Sequence, residues 1–390
     1  MEHIRVLELY SGIGGMHYAL TESGVSAEVV AAVDVNTTAN EIYKHNFPNT
    51  PLYPKTIEGM TLNDFNKLAF DMVLMSPPCQ PFTRIGLQGD LSDPRSKSFL
   101  YILDLLPRLS KLPRFILLEN VKGFETSSAR ESLVKTLKEC GYNYQELLVS
   151  PTCLGIPNSR LRYFMMAKAP PGSFCFNTTS EIQQGFPHST KEGDIGGGSH
   201  VPDGSTCSPC PEDEQQENEE EDAGVLYKLE RTQDAERKRR QNRDESVRRI
   251  RDYLEASEGG DMEQYLLTQK TLLRYALLMD IVSPTCRRSV CFTKGYGHYV
   301  EGTGSVLQSC TETDMEAVFS SLETLSDEEK LQQLSSLKLR YFTPVEIANL
   351  MGFPKQLTFP KNISIKQQYR VLGNSLNVHV VARLIKLLVS

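Results

Sequence analysis

The residues with the clearest capacity for chemistry are a cysteine and the prolines around it, in the stretch Ser76–Phe82. The three prolines of this stretch fix their own φ angles and restrict the residues before them, so Cys79 lies in a stiff loop. A thiolate in such a loop can be presented to a substrate with little loss of entropy, provided that nearby cations stabilise it. An arbitrary cysteine is more often a small buried apolar residue. This setting favours a nucleophile instead.

A second candidate is the carboxyl group of Glu119, in Glu119-Asn120-Val121, which follows the apolar stretch Phe115–Leu118. By itself, a glutamate at the end of a strand is more often a helix cap or a surface charge. Beside a reactive cysteine, a carboxyl that keeps its proton can donate to the ring nitrogen of a pyrimidine and activate the carbon that the thiolate attacks. Exclusion of water would raise the pKa of Glu119 toward that role.

Two arginines alternate in a third group, Asn158–Arg162. If this segment is extended, Arg160 and Arg162 project to the same face, which suits a phosphate or the oxygen of a base. Taken as charges alone, they would more often be surface residues.

A glycine-rich turn, Tyr10–Gly15, joins a predicted strand at Ile4–Leu9 to a predicted helix at Met16–Ser23. The pattern has His17 where a dinucleotide site has its third glycine, which disfavours a pyrophosphate site. Asp34 ends the next apolar run about 20 residues later, where a carboxylate can accept both hydroxyls of a ribose. Together, the turn and Asp34 predict an adenosine-type cofactor.

The elements that must position these groups alternate between strands and helices. This alternation predicts an α/β fold with a mostly parallel sheet that helices cover on both faces. Ligands of such sheets bind beyond the carboxyl ends of the strands, so we expect Cys79 and Glu119 at the same rim. Further predicted strands are Val29–Val33, Asp71–Met75, Phe115–Leu118, Tyr144–Val149 and Tyr163–Ala167, with helices at Asn36–His45, Ser98–Leu106 and Ser128–Glu139.

Composition limits the possible partners. The 390 residues include 42 Lys and Arg against 49 Asp and Glu, a net charge of −7. This argues against a generally basic surface, so any nucleic-acid site must be a local patch. Nine irregularly spaced cysteines are typical of reduced thiols. We find no signal peptide or membrane span and expect an intracellular protein without a membrane partner.

The composition divides the chain into three parts. Residues 1–185 and 364–390 are predicted to form the catalytic domain, 186–250 a flexible charged linker, and 251–363 a small domain. The basic run Arg237–Arg240 could contact RNA or act as a nuclear address, but a solvated helix face is the favoured interpretation. The cysteines do not supply four well-spaced ligands, so no metal is expected. Later helices are predicted at Leu266–Met279, from Thr343, and at Val378–Val389.

In this order and spacing, the motifs resemble those of the cytosine-5 methyltransferase family, over nearly the whole chain and including Gly373-Asn374-Ser375. The resemblance implies a Rossmann-like S-adenosylmethionine-dependent methyltransferase domain with a smaller target-recognition domain. It also implies a mechanism. Cys79 adds to carbon 6 of cytosine, carbon 5 takes the methyl group, and loss of the carbon 5 proton expels the thiolate.

The same resemblance implies residue roles. Glu119 would contact the ring nitrogen and the amino group, while Arg160 and Arg162 would orient the base and the cysteine loop. Asn158 stands where the family pattern has glutamine, and it receives no role. The cofactor is expected against Ile13, Gly14 and Gly15, with Asp34 on its ribose, Ile57 and Glu58 near its adenine, and Ser76 and Ser375 at its methionine end.

The type of nucleic acid depends on two further segments. Cys291-Phe292-Thr293 and Val121–Glu125 resemble the tRNA branch of the family, which implies cytosine 38 in the anticodon loop of tRNA-aspartate as the target. A DNA methyltransferase and a catalytically silent nucleic-acid-binding relative are the alternatives. We expect a monomer in the cytoplasm, with a nuclear fraction as a further possibility. Candidate phosphate contacts are Arg84, Arg95, Lys122, Arg274, Arg287, Arg288, Lys294 and Arg370.

Overall fold

The computed structural model describes residues 3–78, 96–187, 232–255 and 262–390. Cys79, Arg84 and Arg95 lie outside the described residues, as does most of the predicted linker. The Pro-rich loop is therefore described only as far as Pro78.

An eight-stranded sheet forms the centre of the larger part of the molecule. Its strands are β1 (Ile4–Leu9), β2 (Ala27–Val33), β3 (Leu52–Tyr53), β4 (Met72–Met75), β5 (Phe115–Val121), β6 (Asn143–Val149), β7 (Arg162–Lys168) and β8 (Gln183–Gln184). Their spatial order is β3-β2-β1-β4-β5-β7-β6-β8. All residues of β4 are buried, as expected for a short apolar strand in the middle of a sheet with two covered faces.

The direction of the strands differs between the two halves of the sheet. β1 pairs in parallel with β2 and β4, and β4 with β5, as predicted. β7 runs antiparallel to both β5 and β6 because the segment between β6 and β7 holds a single 3-10 turn, Pro151–Leu154, and no crossover helix. Glu119 lies inside β5 rather than after it, so the predicted end of this strand at Leu118 was too early.

Apolar side chains pack on both faces of the sheet. Successive residues of β1 contribute to opposite sides, with Val6 in one apolar cluster and Leu7 in the other, as the pleat requires. The Asn36 side chain caps the second helix by accepting the Ala39 N–H at 3.0 Å. The helices of this part are α1 (Gly15–Ser23), α2 (Thr37–Asn46), α3 (Leu62–Leu68), α4 (Lys97–Leu105) and α5 (Ser128–Glu139).

The end of the predicted linker is folded. It contains α6 (Thr232–Arg243), and the side chains of Val247 and Ile250 beyond it are buried. The Ile250 N–H donates to the carbonyl of Cys286 at 2.8 Å. The flexible linker was therefore predicted to extend too far, because these two apolar residues anchor an otherwise charged stretch.

The small domain has a three-stranded sheet of β9 (Ile281–Val282), β10 (Val306–Gln308) and β11 (Leu339–Tyr341), in the order β11-β10-β9. Its helices are α7 (Gln269–Tyr275), α8 (Met315–Ser321) and α9 (Asp327–Ser336). The helix predicted over Leu266–Met279 is shorter, since Tyr275 leaves the helical region and a 3-10 turn follows.

The chain ends with α10 (Pro344–Leu350), α11 (Ile365–Gly373) and α12 (Val378–Val389). As predicted, α12 packs back on the first domain, against α1, where His379 Nδ1 lies 2.7 Å from Glu22 Oε1. By length and composition, the stretch Ile365–Val389 is apolar enough to cross a membrane. It forms two helices, however, and 61% of its most apolar window is buried inside the protein.

Candidate active site

The turn between β1 and α1 needs backbone conformations that glycine adopts most easily. Gly12 and Gly14 have φ angles of 54° and 87°. The Gly14 N–H donates to the carbonyl of Ser11 at 2.8 Å and closes the turn. A Cβ atom on Gly14 would lie 2.4 Å from the ring of Phe47, so the turn also packs closely against the end of α2. The result is a compact stretch of backbone at the start of α1.

Asp34 follows β2 and holds this turn in place. Its Oδ2 accepts the Gly12 N–H at 2.8 Å, and its Oδ1 accepts the Asn36 N–H at 2.7 Å. Burial raises the pKa of Asp34, and the two backbone hydrogen bonds oppose that rise. A carboxylate has about four acceptor positions, so acceptor capacity remains for a ribose hydroxyl. Asp34 thus fits the predicted ligand role and braces the turn, a contact that the sequence did not reveal.

Two predicted residues of the methionine end lie beside the same turn. Ser76 Oγ donates to the carbonyl of Tyr10 at 3.3 Å. A Cβ atom on Gly15 would lie 3.0 Å from Ser375 Oγ, so the segment before α12 meets the start of α1. Residues that are 360 positions apart in the chain therefore meet at one site.

The predicted adenine side combines an apolar and a charged group. Ile57 is buried and Glu58 is exposed in a short 3-10 turn, while Ile13 is 2% exposed and belongs to the core. Burial raises the pKa of Tyr10, and the negative charges of Glu58 and Asp34 raise it further, which shows that both carboxylates lie near this ring. Spare carboxylate acceptors and apolar side chains are groups that an adenosyl cofactor needs.

The alignment of β4 and β5 brings the Pro-rich loop to Glu119. The two strands pair in parallel up to Met75 and Leu118, so the loop after β4 begins level with Glu119. Asn120 Nδ2 donates to the carbonyl of Pro77 at 3.4 Å and ties β5 to the start of the loop. The described part of the loop therefore begins at the rim where Cys79 was predicted.

The Glu119 carboxyl is enclosed but remains within reach of a cation. It is 9% exposed, and its Oε1 lies 3.4 Å from Nε of Arg162. Burial raises the pKa of Glu119, against the opposing effect of Arg162 and Arg160. Glu119 therefore binds its proton more tightly than an exposed glutamate does, which is the direction that a proton donor needs.

Arg160 ties its own segment to two others through their backbone carbonyls. It is 4% exposed, and its Nη1 donates to the carbonyl of Phe292 at 3.0 Å. Its Nη2 donates to the carbonyl of Gly373 at 3.2 Å and to that of Ser375. With both terminal nitrogens engaged in this way, Arg160 positions the small domain and the segment before α12 around the site.

Arg162 stands between Glu119 and a second thiol. Its Nη2 lies 3.6 Å from Sγ of Cys291, and Nη1 of Arg160 lies 3.3 Å from the same sulfur. Burial opposes ionisation of Cys291, but the two guanidinium groups together lower its pKa below the ordinary value. The rim thus holds a carboxyl with a raised pKa next to a thiol with a lowered one.

Asn158 has a clear structural role, although the sequence assigned none. Its Nδ2 donates to Ser289 Oγ at 3.0 Å and to the carbonyl of Val290 at 3.1 Å. These bonds fix the backbone directly before Cys291. Only the structure identifies these partners of Asn158.

Residues 4–390 match the family described as C-5 cytosine-specific DNA methylase. The chain belongs to this family. The human protein named tRNA (cytosine(38)-C(5))-methyltransferase is 57% identical over the full length of both chains. The Dictyostelium discoideum protein named DNA (cytosine-5)-methyltransferase is 37% identical, covering 100% of this chain and 95% of that protein. A solved DNMT2 structure from Spodoptera frugiperda, a mutant, is 39% identical, covers 100% of both chains and has a TM-score of 0.76.

As a cytosine C5 methylase, the chain is an enzyme that uses S-adenosylmethionine. The fold agrees with that assignment, since its mixed α/β sheet carries the glycine turn, Asp34 and Glu119 at one rim. The expected methyltransferase fold and cofactor are therefore confirmed.

The structure separates the predicted phosphate contacts of this methylase into two groups. Arg288 is 5% exposed and pairs with Asp280 at 2.8 Å, so it is not available as a surface phosphate contact. Arg287 donates to the carbonyl of Val247 and is partly buried. Both arginines stabilise the small domain, a role that burial rather than sequence reveals. The exposed candidates are Lys122, Arg274, Lys294 and Arg370.

A cavity of about 360 Å³ opens beside Asp34, between the start of α2 and α11. Its lining includes one exposed cation, Arg370, together with the polar side chains of Asn36 and Gln367. Its lining begins at Val35, directly after Asp34 in the chain, and does not include Glu119.

Proposed function

We propose that the protein transfers a methyl group from S-adenosylmethionine to carbon 5 of cytosine 38 in the anticodon loop of a tRNA, with tRNA-aspartate as the favoured substrate. The enclosed pair of Glu119 and Arg162, at the rim where the Pro-rich loop begins, carries the catalytic part of this proposal. The name of the human relative, which is 57% identical over its full length, supports the choice of tRNA and of position 38.

In the proposed reaction, the Cys79 thiolate forms a bond to carbon 6 of the cytosine, and the electron pair of the ring moves toward carbon 5. Glu119 donates its proton to the ring nitrogen, which stabilises this charge. The cofactor supplies an electrophilic methyl group to carbon 5. Water then takes the carbon 5 proton, the thiolate leaves carbon 6, and the ring nitrogen returns its proton to Glu119, which restores the ring.

The other rim residues position the reacting groups. Arg162 holds the Glu119 carboxyl from one side, and Arg160 fixes the segments that close the pocket. Asp34 would hold the ribose of the cofactor, while the turn at Gly14 and Gly15 admits its backbone contacts. A cytosine in an anticodon loop reaches such an enclosed carboxyl only after leaving its stack.

A DNA methyltransferase is the second candidate, because the Dictyostelium relative carries that name at 37% identity. The complete set of Glu119, Arg160 and Arg162 argues against a catalytically silent relative, since a binding protein has no need of an enclosed acid between two guanidinium groups.

The first experiment offers labelled S-adenosylmethionine with either transcribed tRNA-aspartate or duplex DNA. We expect label in the tRNA, and none in a tRNA with uracil at position 38. Label only in DNA would select the second candidate. Cys79→Ala should abolish transfer, whereas Cys140→Ala, at a partly buried cysteine directly after α5, should preserve it.

We further propose that the enzyme acts as a monomer in the cytoplasm, with a nuclear fraction. Sedimentation at micromolar concentration checks the oligomeric state, and a dimer would contradict it. Fractionation of cells that express the tagged chain checks the location, and an exclusively membrane-bound or secreted product would contradict it.

A further inference from the structure

The helix α6 and the residues that follow it form the most basic stretch of an acidic protein. From the start of α6, residues 232–251 contain eight Lys and Arg against four Asp and Glu, whereas the whole chain carries a net charge of −7. Such a concentration of one sign creates a local positive field that the rest of the surface does not share.

One face of α6 is attached to the small domain. Nζ of Lys238 lies 3.1 Å from Oδ1 of Asp280. One turn later, Oδ1 of Asn242 accepts the backbone N–H of Arg287 at 3.0 Å. Residues four positions apart lie on the same side of a helix, so these two contacts fix which face of α6 is turned inward.

The chain after α6 is attached to both loops that build the active site. The Arg248 N–H donates to the carbonyl of Gly155 at 2.9 Å, five residues before Arg160. The Ile250 N–H donates to the carbonyl of Cys286 at 2.8 Å, five residues before Cys291. The position of α6 is therefore set by the same loops that hold the catalytic rim.

The outer face of α6 carries arginines without acidic partners. Arg239, Arg240 and Arg243 are exposed, and none of them forms an ion pair with a carboxylate in the described part of the chain. An α-helix turns by about 100° per residue around its axis, so these three arginines point, on average, well away from the attached face of Lys238 and Asn242. Their charges are thus directed to solvent, where guanidinium groups bind phosphate oxygens well.

We propose that the exposed arginines of α6 bind the phosphate backbone of the RNA substrate while its target base occupies the active site. This inference rests on the proposed tRNA substrate. RNA is favoured over an acidic protein partner because the chain directly after α6 is bonded to the loops that lead to Arg160 and Cys291, which sets the basic helix beside the site of the target base. The proposal takes up the alternative of an RNA contact that the basic run Arg237–Arg240 left open.

The test is a triple variant, Arg239→Gln, Arg240→Gln and Arg243→Gln, in the full chain. Glutamine keeps a high helix propensity and removes the charge. A matched control replaces three exposed lysines on other helices, Lys135→Gln, Lys138→Gln and Lys386→Gln. A second variant with lysine at the three α6 positions keeps the charge. Binding of transcribed tRNA is measured between 50 and 200 mM salt, together with kcat and KM for methyl transfer.

Loss of three phosphate contacts should reduce the slope of log affinity against log salt by about 2 to 3 and weaken binding at least about tenfold at low salt. KM for tRNA should rise while kcat at saturating tRNA stays within about twofold, and the lysine variant should retain most of the affinity. Unchanged slope and KM in the glutamine variant, or an equal loss in the control, would overturn the inference. The comparison of KM and kcat between the variants requires a wild-type enzyme that methylates tRNA. Absence of that activity would refute the proposed function instead.

Discussion

Replacement of Glu8 by glutamine should change how stability depends on pH. Glu8 lies in β1 with 0% exposure, and its Oε2 accepts a hydrogen bond from the Tyr43 hydroxyl at 2.8 Å. Nδ1 of His17 lies 2.9 Å from the same hydroxyl. Burial raises the pKa of Glu8 from 4.5 to about 8, and the charge of Asp34 adds to that rise. Burial lowers the pKa of His17 from 6.5 to about 4.

Glu8 and His17 change the free energy of unfolding in opposite directions as pH rises. Since the folded state binds the Glu8 proton more tightly, the stability from Glu8 is complete below pH 4.5 and is lost as pH rises to about 8. The folded state binds the His17 proton less tightly than the unfolded state does. The free energy of unfolding therefore increases through His17 as pH rises from about 4 to 6.5. Between pH 4.5 and 6.5, the loss of stability through Glu8 and the gain through His17 largely cancel. Between pH 6.5 and 8, Glu8 alone should lower the free energy of unfolding by about 2 kcal/mol, at 1.36 kcal/mol per unit.

Denaturant unfolding at a series of pH values measures this difference. The wild-type protein should lose about 2 kcal/mol between pH 6.5 and 8 relative to Glu8→Gln, which cannot ionise. Glu312→Gln, an exposed residue, serves as the control and should follow the wild type. Parallel curves for wild type and Glu8→Gln would refute the assignment of a buried, protonated Glu8.

Three further substitutions test the rim. Glu119→Gln removes the acidic proton donor at similar size, so kcat should fall by about 10²- to 10⁴-fold at nearly constant KM, and a loss below tenfold would contradict the acid role. Asn158→Ala removes two buried hydrogen bonds and should lower the free energy of unfolding by about 1 to 3 kcal/mol, measured by denaturant titration against exposed Asn362→Ala. In Gly373→Ala, the new Cβ would lie 2.2 Å from the carbonyl carbon of Thr293, so thermal melting should show a loss of about 1 to 3 kcal/mol and methyl transfer should decline with it. Wild-type melting of that variant would contradict the packing.

The fold could be predicted wherever the pattern is local. The periodicity of α12 gave its observed bounds, Val378–Val389, and the apolar runs of the first domain located its strands within a few residues. The direction of β7 could not be derived in the same way, because it depends on which neighbour the strand pairs with. The buried anchors Val247 and Ile250 were also missed, since two apolar residues in a charged stretch give no periodic signal.

The site was predictable as a set of groups but not as a set of contacts. The sequence singled out Glu119, Arg160 and Arg162 from residue type and position, and the structure brings these three side chains together. The sequence did not show that Arg160 donates to the carbonyls of Phe292 and Gly373, 132 and 213 residues away. It likewise treated buried Arg288 as a phosphate contact, because charge alone does not reveal burial.

The most direct test of the central claim is covalent trapping with tRNA-aspartate that carries 5-fluorocytosine at position 38. Fluorine replaces the proton that must leave carbon 5, so a methylated adduct should accumulate. We predict that mass spectrometry of the digested complex finds this adduct on the peptide of Cys79, in the wild type and not in Cys79→Ala. An adduct on Cys291, the other thiol of the rim, or an adduct that persists in Cys79→Ala, would contradict the account.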